Sequence, residues 1–164
     1  MRGYCAIGIY RSKKPPNVGT LWRSAQQIQD AGCGLLFTIG ARFPVEARRN
    51  AFRACAEARQ NSDTMRATRH IPWVDFASVE EMRLQIPAAV LVGVELDARA
   101  TSLATFAHPQ RAIYLLGSED GGIPMRDRTL CDHLIQIPAG NLNVAVAGSL
   151  VLYDRLLKIH ATPE

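Results

Sequence analysis

The sequence predicts an α/β fold around a mostly parallel sheet with helices on both faces. Short, unbroken apolar runs recur along the chain, and segments of helical periodicity separate them. A strand buried on both faces has no polar side to present, so it reads as a continuous apolar run rather than an alternating one. Such strands alternating with helices are the pattern of a parallel sheet. At 164 residues the chain has the length of one domain, 1–164, able to bury roughly two thirds of its unfolded surface.

The first strand is "YCAIGIY", residues 4–10. The following "KKPPN" reads as a loop stiffened by Pro15 and Pro16, with Asn17 placed to cap a helix and Gly19 to allow a tight turn. That helix, "GTLWRSAQQIQDAG", carries Leu21, Ala25 and Ile28 at helical spacing and stops at Gly32. "GLLFTIG" (residues 34–40) is the second strand, and "PVEARRNAFRACAEARQ" (44–60) an Ala-rich basic helix. "SVEEMRLQI" opens on a capping box, Ser78 with Glu81. "AAVLVGV" (88–94), "AIYLLG" (112–117) and the short "LIQIP" (134–138) are the remaining strands. The last helix starts near Asn143 and runs "VAVAGSLVLYDRLLKI". Its first half is apolar all round, which predicts burial; its second half is charged on one side.

Composition excludes several classes. No apolar run approaches the roughly 20 residues a membrane span requires, and "MRGYCAIGIYRSKK" turns polar too soon for a signal peptide. Cys5, Cys33, Cys55 and Cys131 are scattered without a C-x-x-C pair, so they read as reduced thiols of a cytoplasmic protein, and no metal site is expected. Walker-type and H-E-x-x-H motifs are missing, and no Gly-rich turn follows the first strand, which argues against nucleotide hydrolysis, zinc proteolysis and a Rossmann enzyme. A net charge of +4 suits a polyanionic partner, although a mild excess also serves solubility alone.

Three short constellations carry the chemistry. In "NVGTLWRSA", Arg23 lies more than one helical turn beyond Asn17. In "LLGSEDGGIP", a strand runs into a turn with glycines at 117, 121 and 122 but also two carboxylates, Glu119 and Asp120. Acids repel the phosphate that a Gly-rich turn of this kind would otherwise cradle. In "IPAGNLNVAVAGS", Asn143 can cap the helix while Asn141 has no evident structural duty. Ala145, Ala147 and Gly148 keep that helix thin at its start, open to close approach by a backbone or a flat ligand.

In this order and spacing the three stretches resemble the SpoU/TrmH family of SPOUT RNA methyltransferases. The first motif stands here as Asn17, Gly19, Arg23 and Ala25. The second is Gly117, Glu119, Gly122 and Pro124; the third is Ile137-Pro138 followed by Leu142, Asn143, Val144 and Ala145. Asn141 occupies the place of the family's usual serine, and both residue types donate and accept hydrogen bonds. The resemblance implies a sheet whose C-terminal part is threaded into a trefoil knot, a homodimer, and methylation of a ribose 2′-oxygen in tRNA or rRNA. It implies S-adenosylmethionine as cofactor, held near Leu116, Gly117, Glu119, Gly122, Ile137, Asn141 and Leu142, with Ala147 beneath it. That cofactor is a sulfonium cation without phosphate, so a carboxylate beside it is tolerable. Glu119 has the alternative of holding the loop through hydrogen bonds; Asp120 reads as a solvated turn residue.

The resemblance assigns the catalytic role to Arg23, with Asn17 positioning it or the ribose. A guanidinium stays protonated, so its action is either to stabilise the developing alkoxide or to fix the target phosphate, which then assists proton loss. For the RNA surface the candidates are Lys13 and Lys14 and the basic helix with Arg48, Arg49 and Arg53, continued by Arg59, Arg66 and Arg69. A solvated helix face partly neutralised by Glu46 and Glu57 explains the same arginines. Trp73 reads as core or dimer packing, with base stacking as the alternative. A non-catalytic RNA-binding protein that keeps the fold is the competing reading, and retention of Asn17, Arg23 and a complete second motif argues against it.

Overall fold

The computed structural model describes residues 3–42 and 70–161. The elements are β1 (Tyr4–Tyr10), α1 (Pro15–Gln27), β2 (Cys33–Ile39), β3 (Trp73–Phe76), α2 (Val79–Gln85), β4 (Val90–Val94), β5 (Thr101–Ser102), β6 (Arg111–Leu116), α3 (Met125–Arg128), β7 (His133–Gln136) and α4 (Val144–Ala161). Short 3₁₀ turns sit at Gln29–Ala31 and Leu103–Thr105. The predicted basic helix, with Arg48, Arg49, Arg53, Arg59, Arg66, Arg69 and Cys55, lies outside the described residues.

Seven strands form one parallel sheet in the order β3-β2-β1-β6-β4-β7-β5. The apolar runs are buried on both faces, as their lack of alternation requires. Along β1, Cys5, Ile7 and Ile9 face one layer with Leu21, Trp22, Val151 and Leu152; Ala6 faces the other, with Phe37, Met82, Leu91 and Ile113. The chain winds outward from β1 through β2 and β3, then crosses to β4 and the far edge β5 before β6 inserts beside β1 and β7 between β4 and β5. The carboxyl ends of β1 and β6 therefore meet where the winding reverses, the place at which open α/β sheets form their crevice. β3, β5 and α3 were not legible as elements. β3 and β5 are edge strands too short and too polar to give a period, and α3 is a single turn held behind Pro124.

Two expectations at α1 are corrected. The helix starts at Pro15, with Lys14 as its N-cap residue and no side-chain cap. Proline is well suited to the first helical position, where its missing N–H would have no partner anyway. Asn17 is thus a buried residue of the first turn rather than a cap, and Gly19 is helical rather than a turn residue. Ser78 caps α2 as read, its Oγ accepting the Glu81 N–H at 3.2 Å, but the Glu81 carboxylate reaches one residue beyond the cap and accepts the Ala77 N–H at 2.6 Å. Trp73 is half-buried, its ring 6.5 Å from that of Trp22.

α4 lies against α1 and the sheet. A Cβ on Gly148 would stand 2.5 Å from Leu21 and 2.8 Å from Leu116, so glycine there lets the helix close onto both. Further along, Arg155 is completely buried and donates to the carbonyls of Ala31, Pro109 and Gln110 at 2.6–2.9 Å and to the Tyr114 hydroxyl at 3.1 Å. Tyr114 in turn meets His108 Nδ1 at 2.6 Å, and His108 Nε2 meets Asp154 at 2.8 Å. The chain of donors runs consistently if the hydroxyl donates to Nδ1 and a neutral imidazole donates to Asp154. Burial, the largest influence, holds His108 below its ordinary pKa and favours that neutral form, against the pull of Asp154. The burial of α4 is not complete, however. Val146, Leu150, Tyr153 and Leu157 form an exposed apolar stripe at helical spacing, contrary to the expected all-round burial of its first half. Among the described residues no helix is long and apolar enough to cross a membrane.

Arg155→Met keeps the apolar stem and removes every donor, leaving several buried acceptors unpaired. Chemical denaturation should show a loss of roughly 3 kcal/mol or more; a loss within error would show that the buried guanidinium does not fasten α4.

Candidate active site

A cavity of about 290 Å³ opens at the carboxyl ends of β4, β6 and β7, against the start of α4. Its lining includes each residue assigned above to the cofactor: Leu116, Gly117, Glu119, Gly122, Ile137, Asn141, Leu142 and Ala147. Asn17 and Lys14 reach it from α1 and its cap. Val94, Glu95, Leu96, Ser118, Gln136, Gly140, Asn143 and Val144 complete the wall. Of these, Glu95 and Leu96 carried no motif; their only sequence signal is that they follow a buried strand, where ligands collect in such sheets.

The three motifs meet through side chains. Asn17 Nδ2 donates to Glu119 Oε1 at 2.8 Å, and Asn143 Nδ2 donates to Asn17 Oδ1 at 3.1 Å. Asn143 also caps α4, its Oδ1 accepting the Ala145 N–H at 2.9 Å, as expected of it. Glu119 accepts more weakly from Ser12 Oγ and the Lys13 N–H, both at 3.4 Å. Its loop-holding role is therefore the one with direct partners. Asn141 stands exposed on the cavity wall and makes no hydrogen bond among the described residues.

The Gly-rich turn is closed upon itself. Ser118 and Gly122 exchange backbone hydrogen bonds, both 3.1 Å, and the Gly121 N–H goes to Ser118 Oγ at 3.2 Å. The Ile123 N–H goes to Glu95 at 2.6 Å. Gly122 adopts φ +61°, a backbone conformation that glycine reaches without penalty. The four N–H groups at 118, 121, 122 and 123 are thus already paired, whereas an anion cradle needs such groups pointing outward. The turn is not built for phosphate.

Asp120 is more than a solvated turn residue. It pairs with Lys13 Nζ at 2.5 Å and takes a forked contact from Arg42 at 2.5 and 3.1 Å. The Arg42 and Lys13 contacts hold its carboxyl well below the usual range. Arg42 also donates to the Arg11 carbonyl at 2.8 Å, where Arg11 turns the chain out of β1 with φ +44°. Loops after β1, β2 and β6 are joined at this point. Lys13, read from sequence as an RNA contact, has its ammonium engaged here.

Arg23 is not part of the cavity wall. It stands exposed on α1 and makes no hydrogen bond or ion pair among the described residues.

Fold, crevice and the convergence of three motifs define a parallel-sheet protein with a ligand crevice at the carboxyl edge of its strands. The chain belongs to the SpoU rRNA methylase family, whose sequence profile matches residues 5–153. Over 68 residues, 39% of this chain and 4% of the relative, it is 34% identical to the tRNA (guanosine(18)-2'-O)-methyltransferase TARBP1 of Mus musculus. The fold matches the SpoU methyltransferase AviRb from Streptomyces viridochromogenes in complex with AdoMet, with a TM-score of 0.77 and 23% identity over 99% of this chain and 63% of that one. It matches equally a structure described as giving insight into 2-OH methylation of C/U34 on tRNA, with a TM-score of 0.75 and 18% identity over 99% and 100% of the two chains. The chain thus spans under two thirds of AviRb and a small fraction of the mouse protein.

Glu119→Gln keeps the shape of the side chain but presents an amide N–H₂ to one of two donors, the Asn17 amide or the Lys13 N–H. Calorimetry should show S-adenosylmethionine binding weakened by about tenfold, the cost of one charge-assisted hydrogen bond. Unchanged affinity would remove Glu119 from the support of the pocket.

Proposed function

We propose that the chain transfers a methyl group from S-adenosylmethionine to a ribose 2′-hydroxyl of tRNA or rRNA, as a homodimer working in the cytoplasm. The observation that carries this reading is the meeting of Asn17, Glu119 and Asn143 on the wall of a cavity suited to that cofactor. The cavity offers apolar surface from Val94, Leu96, Leu116, Ile137 and Ala147 for an uncharged base, and its two carboxylates, Glu95 and Glu119, suit a cation. In its turn the N–H groups of residues 118, 121, 122 and 123 are already bonded within the protein. When bound, the cofactor supplies an electrophilic methyl group on sulfur.

The part of this chain is to hold the ribose and remove its proton. Arg23 stabilises the oxyanion that forms as the hydroxyl loses its proton, or grips the neighbouring phosphate so that this group takes the proton. Asn17 fixes the turn beside it through Glu119. Because Arg23 stands outside the cavity of its own chain, the reading places it beside the pocket of a second copy. The exposed stripe of Val146, Leu150, Tyr153 and Leu157 supplies an apolar face for that pairing, since apolar surface left facing water favours association. The knot expected from the resemblance belongs to the same reading, as does an RNA surface formed by Lys14 and the arginines of residues 44–60.

Mapping 2′-O-methyl sites across tRNA and rRNA, in cells with and without the gene, tests the activity; a site lost with the gene names the substrate, and no difference would count against the enzyme. Arg23→Lys keeps the charge but not the fork, so methyl transfer to that RNA should fall by about a hundredfold or more with cofactor binding intact. Near wild-type turnover would sink the assignment. Leu150→Asp should shift the protein to monomer in sedimentation analysis and abolish transfer with it, whereas an active monomer would refute the shared site.

A further inference from the structure

We propose that Glu95 is a positioning residue for the cofactor: its carboxylate ties the end of β4 to the Gly-rich turn after β6 and so fixes one wall of the cavity. The inference rests on the cofactor reading above. Val94 is in register with Leu116 on one side and Ile135 on the other, so Glu95 leaves the sheet between the ends of β6 and β7. Its backbone N–H donates to the Ile135 carbonyl at 2.9 Å. Its side chain then turns to the neighbouring loop, where Oε2 accepts the Ile123 N–H at 2.6 Å while Oε1 accepts the Leu96 N–H at 3.1 Å. One residue thereby touches strand β7, the turn after β6 and the start of its own loop, all beside the cavity.

The surroundings are shaped to receive this carboxylate. A Cβ on Gly117 would stand 2.7 Å from Glu95 Oε2, and one on Gly122 only 2.3 Å from it. Glycine at those two positions leaves the space that the carboxylate fills. Arg128 braces the same point: its Nε donates to the Ile123 carbonyl at 2.6 Å, its Nη1 reaches Asp97 at 3.0 Å, and its Nη2 stands 3.8 Å from Glu95. Ile123 is therefore held at both its N–H and its C=O. The Glu95 side chain is 15% exposed and lines the cavity itself, so the bond it makes to the turn lies directly behind the surface a ligand would touch.

The test compares the purified full chain with Glu95→Gln and Glu95→Asp. Glutamine must set an N–H₂ against one of the two N–H donors; aspartate keeps the charge but falls one methylene short of Ile123. In both, calorimetry should show S-adenosylmethionine binding weakened by about tenfold or more, with affinity for RNA unchanged. The Ile123 amide proton resonance, displaced downfield by a short bond to a carboxylate, should move upfield in both variants. Folded variants that bind the cofactor as wild type does would overturn the proposal, as would loss of the fold in both, which marks a purely structural role. If wild type binds no S-adenosylmethionine, the cofactor reading itself fails and this inference falls with it. Wild-type binding with undiminished binding by the variants overturns the positioning role alone.

Discussion

The hydrogen bonds from Asn143 through Asn17 to Glu119 are the constraint on which the site depends. They tie α1 to the turn after β6 and to the start of α4, each more than a hundred residues further along the chain. Each bond alone is a modest contribution, on the order of 1 kcal/mol. Their value is geometric: an amide holds its donor nitrogen and its acceptor oxygen in fixed relation, so Asn17 between two partners sets both at once. The sheet makes such a bond possible because the winding reverses between β1 and β6, which brings the end of one beside the end of the other. α4 is then pressed onto that junction by Gly148 and held from its far end by Arg155.

A second set of contacts keeps charge from pulling this arrangement apart. Glu119 and Asp120 are adjacent acids in a small turn, and repulsion between them would open it. Lys13 and Arg42 neutralise Asp120 on the solvent side, whereas Glu119 is met by Asn17, Ser12 and a backbone N–H, all uncharged. The charge of Glu119 thus stays uncompensated by direct contact and faces the cavity. Arg42 does further work by binding the Arg11 carbonyl, so the ion pair that quiets Asp120 also fixes the exit of β1.

Much of this was legible in the sequence, for identifiable reasons. Strands buried on both faces announce themselves as apolar runs, and Ser78 and Asn143 are caps whose side chains bond where local chemistry directs. The cavity wall was legible through motif resemblance, because its residues follow strand ends in a fixed order. Other features were set by tertiary packing and left no local mark. Asn17 looked like a cap because nothing in "PPNVG" shows that Pro15 already begins the helix. Glu95 sits in "VGVELD", and only the pairing of β4 with β6 shows what its carboxylate reaches. Apolar residues all round the start of α4 predict burial, yet the elements that pack against the helix cover only part of it and leave Val146 and Leu150 exposed.

The acids in "LLGSEDGGIP" follow from the same hydrogen bonds. A Gly-rich turn binds phosphate when its N–H groups diverge from the chain and converge on an anion. Here Ser118 and Gly122 close on each other, Gly121 is turned back to Ser118, and Ile123 is bound by Glu95. With those four donors satisfied internally they offer an anion nothing, and a carboxylate in the turn meets no competing requirement. A cationic, phosphate-free ligand reverses the requirement, because the acids then lower its energy and the closed turn offers it shape rather than charge. Glycine at 117 leaves room for both the Glu95 carboxylate and the Gly122 backbone, and at 122 for the same carboxylate and for a left-handed backbone. Two of the three glycines that suggested a phosphate site thus border an acid packed behind them.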